Sequence, residues 1–253
     1  MTGPLTGRGV LVTGAGGGVG RGVAYACATA GADVVVASPR ENGAETVAEI
    51  VARGGSAVWV RCDVTDAADV EAAVDTAAAR AGLHAMVHNA TSRRSSEPTR
   101  LEVLDAAAWE DHVSVSLRGA FHCARAAHTK LGRGAGRFVL MTSPAGMEGS
   151  TMLPLYGMVK AGLRGFAKSL AREWAPEGIT VTVVSPLAET PAMAAAYEAD
   201  PSLRDRLARR VPLGRLGDPE TDIGAVVAFL AGAGPGYVTG QTIVVDGGRF
   251  MTL

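Results

Sequence analysis

The sequence predicts an α/β fold: a single domain, residues 1–253, built on a doubly wound parallel sheet of seven strands with helices on both faces. Three observations carry that expectation. Apolar runs of strand length alternate with alanine-rich stretches of helix length along the whole chain. The runs are continuously apolar, as strands covered on both faces are. The first run also enters a cluster of glycines that opens a helix, an order that places a phosphate at a helix N-terminus.

Strands are expected at 10–13, 33–37, 57–62, 85–88, 137–142, 180–184 and 241–245, with helices near 20–30, 43–53, 67–81, 104–131, 155–174 and 219–231. No internal repeat, low-complexity linker or second core interrupts them. Hydrophobic residues make up 47% and charged ones 19%, a globular balance without the marks of disorder. A formal net charge of −1 argues against nucleic acid or an anionic membrane as the main partner. Cys27, Cys62 and Cys123 are far apart and form no CxxC, so they read as reduced, mostly buried thiols of a cytoplasmic protein. The N-terminal ten residues have neither a basic region nor an apolar run, so no signal peptide is expected. No stretch approaches the ~18 apolar residues of a membrane helix. His84 and His88 are four apart, but within an expected strand that spacing makes no helical metal face, and no zinc site is expected.

After the first strand, Gly14, Gly18 and Gly20 give GxxxGxG, not the common GxGxxG. Glycines there allow a sharp turn and close backbone approach to a phosphate. The second strand ends in Ser38-Pro39-Arg40, without the acidic residue that holds a ribose 2′-hydroxyl in NAD-preferring folds. Arg40 and the Ser38 hydroxyl suit a 2′-phosphate instead; a solvated arginine in a turn is the alternative. Asp63, ending the third strand, is placed either to accept from an adenine amino group or to cap the helix beginning near Thr65.

Tyr156 and Lys160 lie one helical turn apart on one face. A phenol has a pKa near ~10, and an ammonium about 4 Å away at an effective dielectric of about 20 contributes around 4 kcal/mol. That would bring the phenol toward neutrality, as a general acid for an alkoxide forming from a carbonyl.

With the glycine frame, Asp63 and Tyr156/Lys160 in place, the chain resembles the short-chain dehydrogenase/reductase family, most closely its 3-oxoacyl-carrier-protein reductase branch. The likeness runs from the glycine turn through Pro212–Glu220 to Thr239-Gly-Gln and Val245-Asp-Gly-Gly248. The resemblance implies Ser143 as the hydroxyl that orients the substrate oxygen, thirteen residues before Tyr156. It gives Lys160 two tasks, lowering the Tyr156 pKa and holding the nicotinamide ribose. It also implies a cofactor, NADP(H) with NAD(H) as the alternative, along Gly14, Gly16, Gly17, Gly18, Val19 and Gly20. Further contacts are expected from Ser38, Arg40, Asp63 and Val64, from Asn89 and Ala90, and from Pro186 and Thr190.

Four departures from the family pattern stand out. Ser116, in Trp109…Val115-Ser116-Leu117, occupies the place of the family's fourth catalytic residue, an asparagine that supports a water relay from the lysine. N-N-A-G becomes His88-Asn89-Ala90-Thr91, and Pro-Gly becomes Pro186-Leu187 with a shorter segment to Thr190. Glu177 precedes Gly178 where carrier-protein reductases place a basic docking residue, which weighs against a carrier-protein substrate. Residues 187–211 occupy the family's substrate lid. Met147, Met152 and Met193 would line an apolar substrate pocket or serve as core filler. Arg93 and Arg94 sit near its rim, either facing an acidic substrate or solvated.

The expected activity is hydride transfer between a nicotinamide and a small-molecule carbonyl or alcohol by a homotetramer. The alternatives are an NAD-linked alcohol dehydrogenase of the same family and a dinucleotide-binding protein with little redox activity.

Overall fold

The structure is a computed structural model that describes residues 3–132, 135–190, 193, 197–198 and 200–251. Its seven strands are β1 (Gly9–Thr13), β2 (Asp33–Ser38), β3 (Ser56–Arg61), β4 (Leu83–His88), β5 (Arg137–Met141), β6 (Thr180–Pro186) and β7 (Thr242–Val245). They pair in the order β3-β2-β1-β4-β5-β6-β7, every neighbour parallel. All seven expected strands form within two residues of their expected ends. This is a doubly wound Rossmann sheet whose order reverses between β1 and β4.

Strand side chains alternate between two cores. Leu11, Val35, Met86, Phe138 and Val183 face one core, filled from α3 (Ala67–Ala81), α5 (Gly119–His128) and α7 (Pro154–Trp174). Val10, Val34, Val87, Val139 and Val184 face the other, filled from α1 (Gly18–Thr29), α2 (Asn42–Ala52) and α9 (Ala225–Ala231). Burial on both sides is why these strands read as unbroken apolar runs.

The helix expected over 104–131 is divided. It starts as α4 (Ala106–His112), with the Asp105 carboxylate accepting the Ala108 N–H at 2.7 Å, widens into a π turn at Val113–Arg118 and continues as α5. A second π turn, Pro219–Gly224, leads into α9. Two short helices, α6 (Ala145–Glu148) and α8 (Leu203–Ala208), carry too few turns for periodicity to reveal them. The capping role considered for Asp63 falls to Asp66, which accepts the Ala68 N–H at 2.8 Å and precedes α3. Asp63 instead closes a turn, accepting the N–H and hydroxyl of Thr65 at 3.0 and 2.8 Å. Among the described residues, no helix is long and apolar enough to cross a membrane, and no group of side chains is arranged to hold a metal ion.

Glycine lets α1 touch the second π turn backbone to backbone: a Cβ on Gly22 would lie 2.3 Å from the Pro219 carbonyl carbon. Gly22→Ala should therefore force α1 away from that turn and lower the unfolding free energy by about 2–3 kcal/mol, read as a lower denaturant midpoint at unchanged slope.

Candidate active site

The C-terminal ends of the strands open, at the β1/β4 switch, on a cleft of about 640 Å³. The residues expected at a cofactor line it with one exception, Gly20. A Cβ on Gly20 would lie 2.4 Å from both the Gly14 carbonyl oxygen and Asn89 Nδ2, so this glycine packs the helix start beneath the turn. Gly14 and Gly18 take positive φ, +65° and +53°, which the turn requires. Gly17 has open space where a Cβ would be and supplies no side-chain cap to α1. The first-turn amides of α1 thus face the cleft without a side-chain acceptor, a cradle that fits a dinucleotide pyrophosphate. Asn89 holds the turn from below, its amide donating to the Thr13 and Gly14 carbonyls at 3.2 Å.

At the adenosine end the two residues suggested for a 2′-phosphate separate. Ser38 is 2% exposed; its hydroxyl donates to the Arg40 carbonyl at 2.8 Å and accepts the Trp59 indole N–H at 3.1 Å. Those bonds commit the hydroxyl to the strand end. Arg40 is exposed, and no hydrogen bond or ion pair among the described residues engages its guanidinium. The free cation at this end is Arg40.

Tyr156 enters near the start of α7, behind Pro154 at its first position, with Lys160 one turn on. Ser143 follows β5, just behind the cleft lining, its Oγ accepting the Ala145 N–H at 3.2 Å and placed near enough to the Tyr156 hydroxyl to favour its ionised form. Lys160 is 3% exposed; its Nζ donates to the Met141 carbonyl at 2.9 Å and lies 5.6 Å from the Tyr156 ring centre. The charge effect expected from the spacing is overridden. Burial raises the Tyr156 pKa, against the pull of the Ser143 hydrogen bond, and burial pushes the Lys160 ammonium down to about 8. Both charged forms lose their water, and the Lys160 charge is directed at a carbonyl, not at the phenol oxygen.

Ser116 is brought beneath the cleft, not into its lining. It is fully buried, its hydroxyl 3.4 Å from the Thr91 hydroxyl and its carbonyl 3.1 Å from His88 Nε2. Of the three methionines suggested for a substrate pocket, only Met152 borders Tyr156, across a shallow recess shared with His112 and Leu155. Met147 and Met193 are half-buried elsewhere; Met193 sulfur accepts from the Tyr197 hydroxyl at 3.9 Å.

Several lining residues escaped the sequence reading: Asn42, Ser95, Asp111, Val115 and Thr142. Asn42 carried a signal, as a polar residue opening the helix after the 2′-phosphate segment; its Oδ1 is buried without a partner beside Gly16. Asp111, which accepts from the buried Ser92 hydroxyl, comes from a helix distant in sequence and gave none. Arg93 lines the cleft, and Arg94, paired with Glu97 and Asp105, borders the recess beside Tyr156. The three cysteines are buried and unpaired; burial pushes the Cys27 and Cys62 thiols up to about 12, so they are inert at neutral pH.

Residues 14–249 match the family model described as enoyl-(acyl carrier protein) reductase. The 3-oxoacyl-[acyl-carrier-protein] reductase of Synechocystis sp. is 35% identical over 251 residues, 98% of each chain. The chain belongs to the short-chain dehydrogenase/reductase family. Among solved members, a short-chain dehydrogenase/reductase from Brucella melitensis superposes with a TM-score of 0.88 at 29% identity, covering 100% of both chains. A short-chain dehydrogenase from Burkholderia cenocepacia, solved in complex with NADP, gives 0.86 at 31% identity, covering 97% of this chain and 99% of its own. This short-chain dehydrogenase/reductase is thus an NAD(P)-dependent oxidoreductase acting on carbonyl or CH–OH groups.

A buried histidine gives this member an acid-sensitive centre. Burial, then the nearby Lys160 charge, lower the His88 pKa from 6.5 to about 3, against the Ser116 hydrogen bond. The folded state therefore keeps His88 neutral while the unfolded chain takes a proton below pH 6.5. Stability is full above that value and falls as pH drops toward about 3, by roughly 3 kcal/mol at pH 4. Urea unfolding at pH 7 and pH 4 should show this loss, and His88→Gln should reduce it.

Proposed function

We propose that this chain reduces a small-molecule ketone or 3-oxoacyl thioester with NADPH. The observation that carries the reading is Tyr156 in the lining of the cleft that the glycine turn also faces, with the Ser143 hydroxyl beside it and Lys160 buried one turn on. The bound dinucleotide supplies hydride to the carbonyl carbon. Ser143 donates toward the carbonyl oxygen and fixes its direction, while the Tyr156 hydroxyl gives its proton to that oxygen. A raised phenol pKa keeps Tyr156 protonated at neutral pH, the form that reduction uses. Alcohol oxidation needs the phenolate, so the same burial favours reduction near neutrality.

NADPH is favoured over NADH by the free Arg40 guanidinium and by a second strand that ends without a carboxylate. The ketone substrate is supported by the names of the relatives and by Tyr156, a protonated phenol lining the cleft. Glu177 is engaged by His128 at 2.9 Å, presenting an acidic side chain where a carrier protein would need a basic one, which supports a small thioester or ketone. Exposed Trp109 and Phe121, on α4 and α5, and Phe229, on α9, support a homotetramer paired through those helices.

Tyr156→Phe should lower kcat for NADPH-dependent ketone reduction by about 10²–10⁴-fold and leave NADPH affinity, measured by fluorescence, nearly unchanged. Full turnover in that variant would remove the mechanism. Arg40→Ala should weaken NADPH about tenfold and leave NADH unaffected; a loss confined to NADH would reverse the cofactor assignment. The reduction rate should fall as pH rises past about 8, where Lys160 loses its proton. Light scattering that returned a monomer would refute the tetramer.

A further inference from the structure

We infer that His88 is a positioning residue, tying the cofactor turn to the helix turn behind Lys160 through opposite edges of one neutral imidazole. The inference rests on the reductase reading above. His88 is fully buried at the end of β4. Thr13 Oγ1 accepts the N–H groups of Asn89 at 3.1 Å and Ala90 at 3.2 Å, so its hydroxyl proton is left for His88 Nδ1 at 3.3 Å. An Nδ1 that accepts puts the ring proton on Nε2, and Nε2 faces the Ser116 carbonyl at 3.1 Å. The tautomer thus follows from its partners. Cys123 Sγ, 3.6 Å from Nδ1, fits the same assignment as a weak second donor. Lys160 is the charged group felt at the ring, and its ammonium opposes a second positive charge there.

The two edges act on different parts of the site. The Nδ1 edge orients the Thr13 hydroxyl, which holds the Asn89 and Ala90 amides; Asn89 in turn holds the Gly14 turn. The Nε2 edge fixes the Ser116 carbonyl within the π turn at Val113–Arg118. Val115 of that turn lines the cleft, and Leu117 seats against α7: a Cβ on Gly162, two residues from Lys160, would lie 3.1 Å from Leu117 Cδ2. Gly119 admits the ring, since a Cβ there would lie 3.3 Å from His88 Cε1.

Two isosteric variants separate the edges. Asparagine places a polar atom where Nδ1 stands but does not reach Ser116; glutamine places an amide nitrogen near Nε2 and leaves the Nδ1 position empty. With NADPH and acetoacetyl-CoA as probes, His88→Asn should lower kcat about tenfold at an unchanged KM for NADPH. His88→Gln should raise that KM about tenfold with kcat within about threefold. In ¹⁵N-histidine-labelled wild-type protein, His88 should give the neutral Nε2–H pattern between about pH 5 and 8. An Nδ1–H or doubly protonated ring overturns the inference, as do variants that both alter the same parameter or alter thermal stability alone. If wild-type protein binds NADPH but reduces no ketone, the reductase reading fails. The tautomer and the effect of His88→Gln on the NADPH Kd then decide the inference on their own.

Discussion

A lysine taken almost wholly out of water is the constraint around which this site is built. Lys160 is 3% exposed, and among the described residues its Nζ has one hydrogen bond, to the Met141 carbonyl at the end of β5. An ammonium in that position survives only if the surrounding dipoles are fixed. The structure supplies that fixity twice: Thr142 donates its hydroxyl to the Lys160 carbonyl at 2.7 Å, and Gly146 packs so tightly that a Cβ would lie 2.6 Å from the Lys160 carbonyl carbon. The strand end and the helix are thereby locked together, with Tyr156 on the same helix and Ser143 on the same loop.

The opposite wall of the cleft depends on an absence of side chains. Gly14, Gly17 and Gly18 let the backbone itself be the binding surface, and Gly20 and Gly22 let α1 approach the strand and the neighbouring turn. Charge has little part in this wall. It enters at the end of β2, where Ser38 is spent on holding Trp59 and the Arg40 carbonyl, leaving Arg40 exposed beside the cleft. On the NADPH reading, shape would bind the common part of a dinucleotide and the exposed Arg40 would distinguish its phosphorylation.

The sheet was legible in the sequence because its strands are buried on both faces, and two-sided burial writes unbroken apolar runs. The glycine turn and the Tyr156/Lys160 interval were legible because their chemistry depends on spacing along the chain. What spacing does not encode is solvent. The expected lowering of the Tyr156 pKa assumed a charge facing the phenol in a partly solvated site; with both groups buried, desolvation sets the sign, and the lysine points at a carbonyl. Contacts formed across the fold were equally hidden. Asp111, Val115 and Asn42 reach the cleft only through the packing of α4, the π turn and α2 onto the sheet, and the division of the 104–131 helix coincides with the contact of the Ser116 carbonyl with His88.

That partner brings two of the sequence departures into contact. His88 and Ser116 look independent in the chain, yet the histidine ring meets the serine carbonyl at 3.1 Å. Ser116 is too short to project into the cleft, and its hydroxyl turns to Thr91, itself a departure from the family's glycine. The three substitutions at 88, 91 and 116 therefore form one hydrogen-bonded layer beneath the cofactor turn. The small polar side chain at 116 finds its partner in the Thr91 hydroxyl, and the histidine takes the backbone carbonyl of the same residue. Restoring glycine at 91 alone would leave the buried Ser116 hydroxyl without its partner, and removing the ring at 88 would do the same to the Ser116 carbonyl.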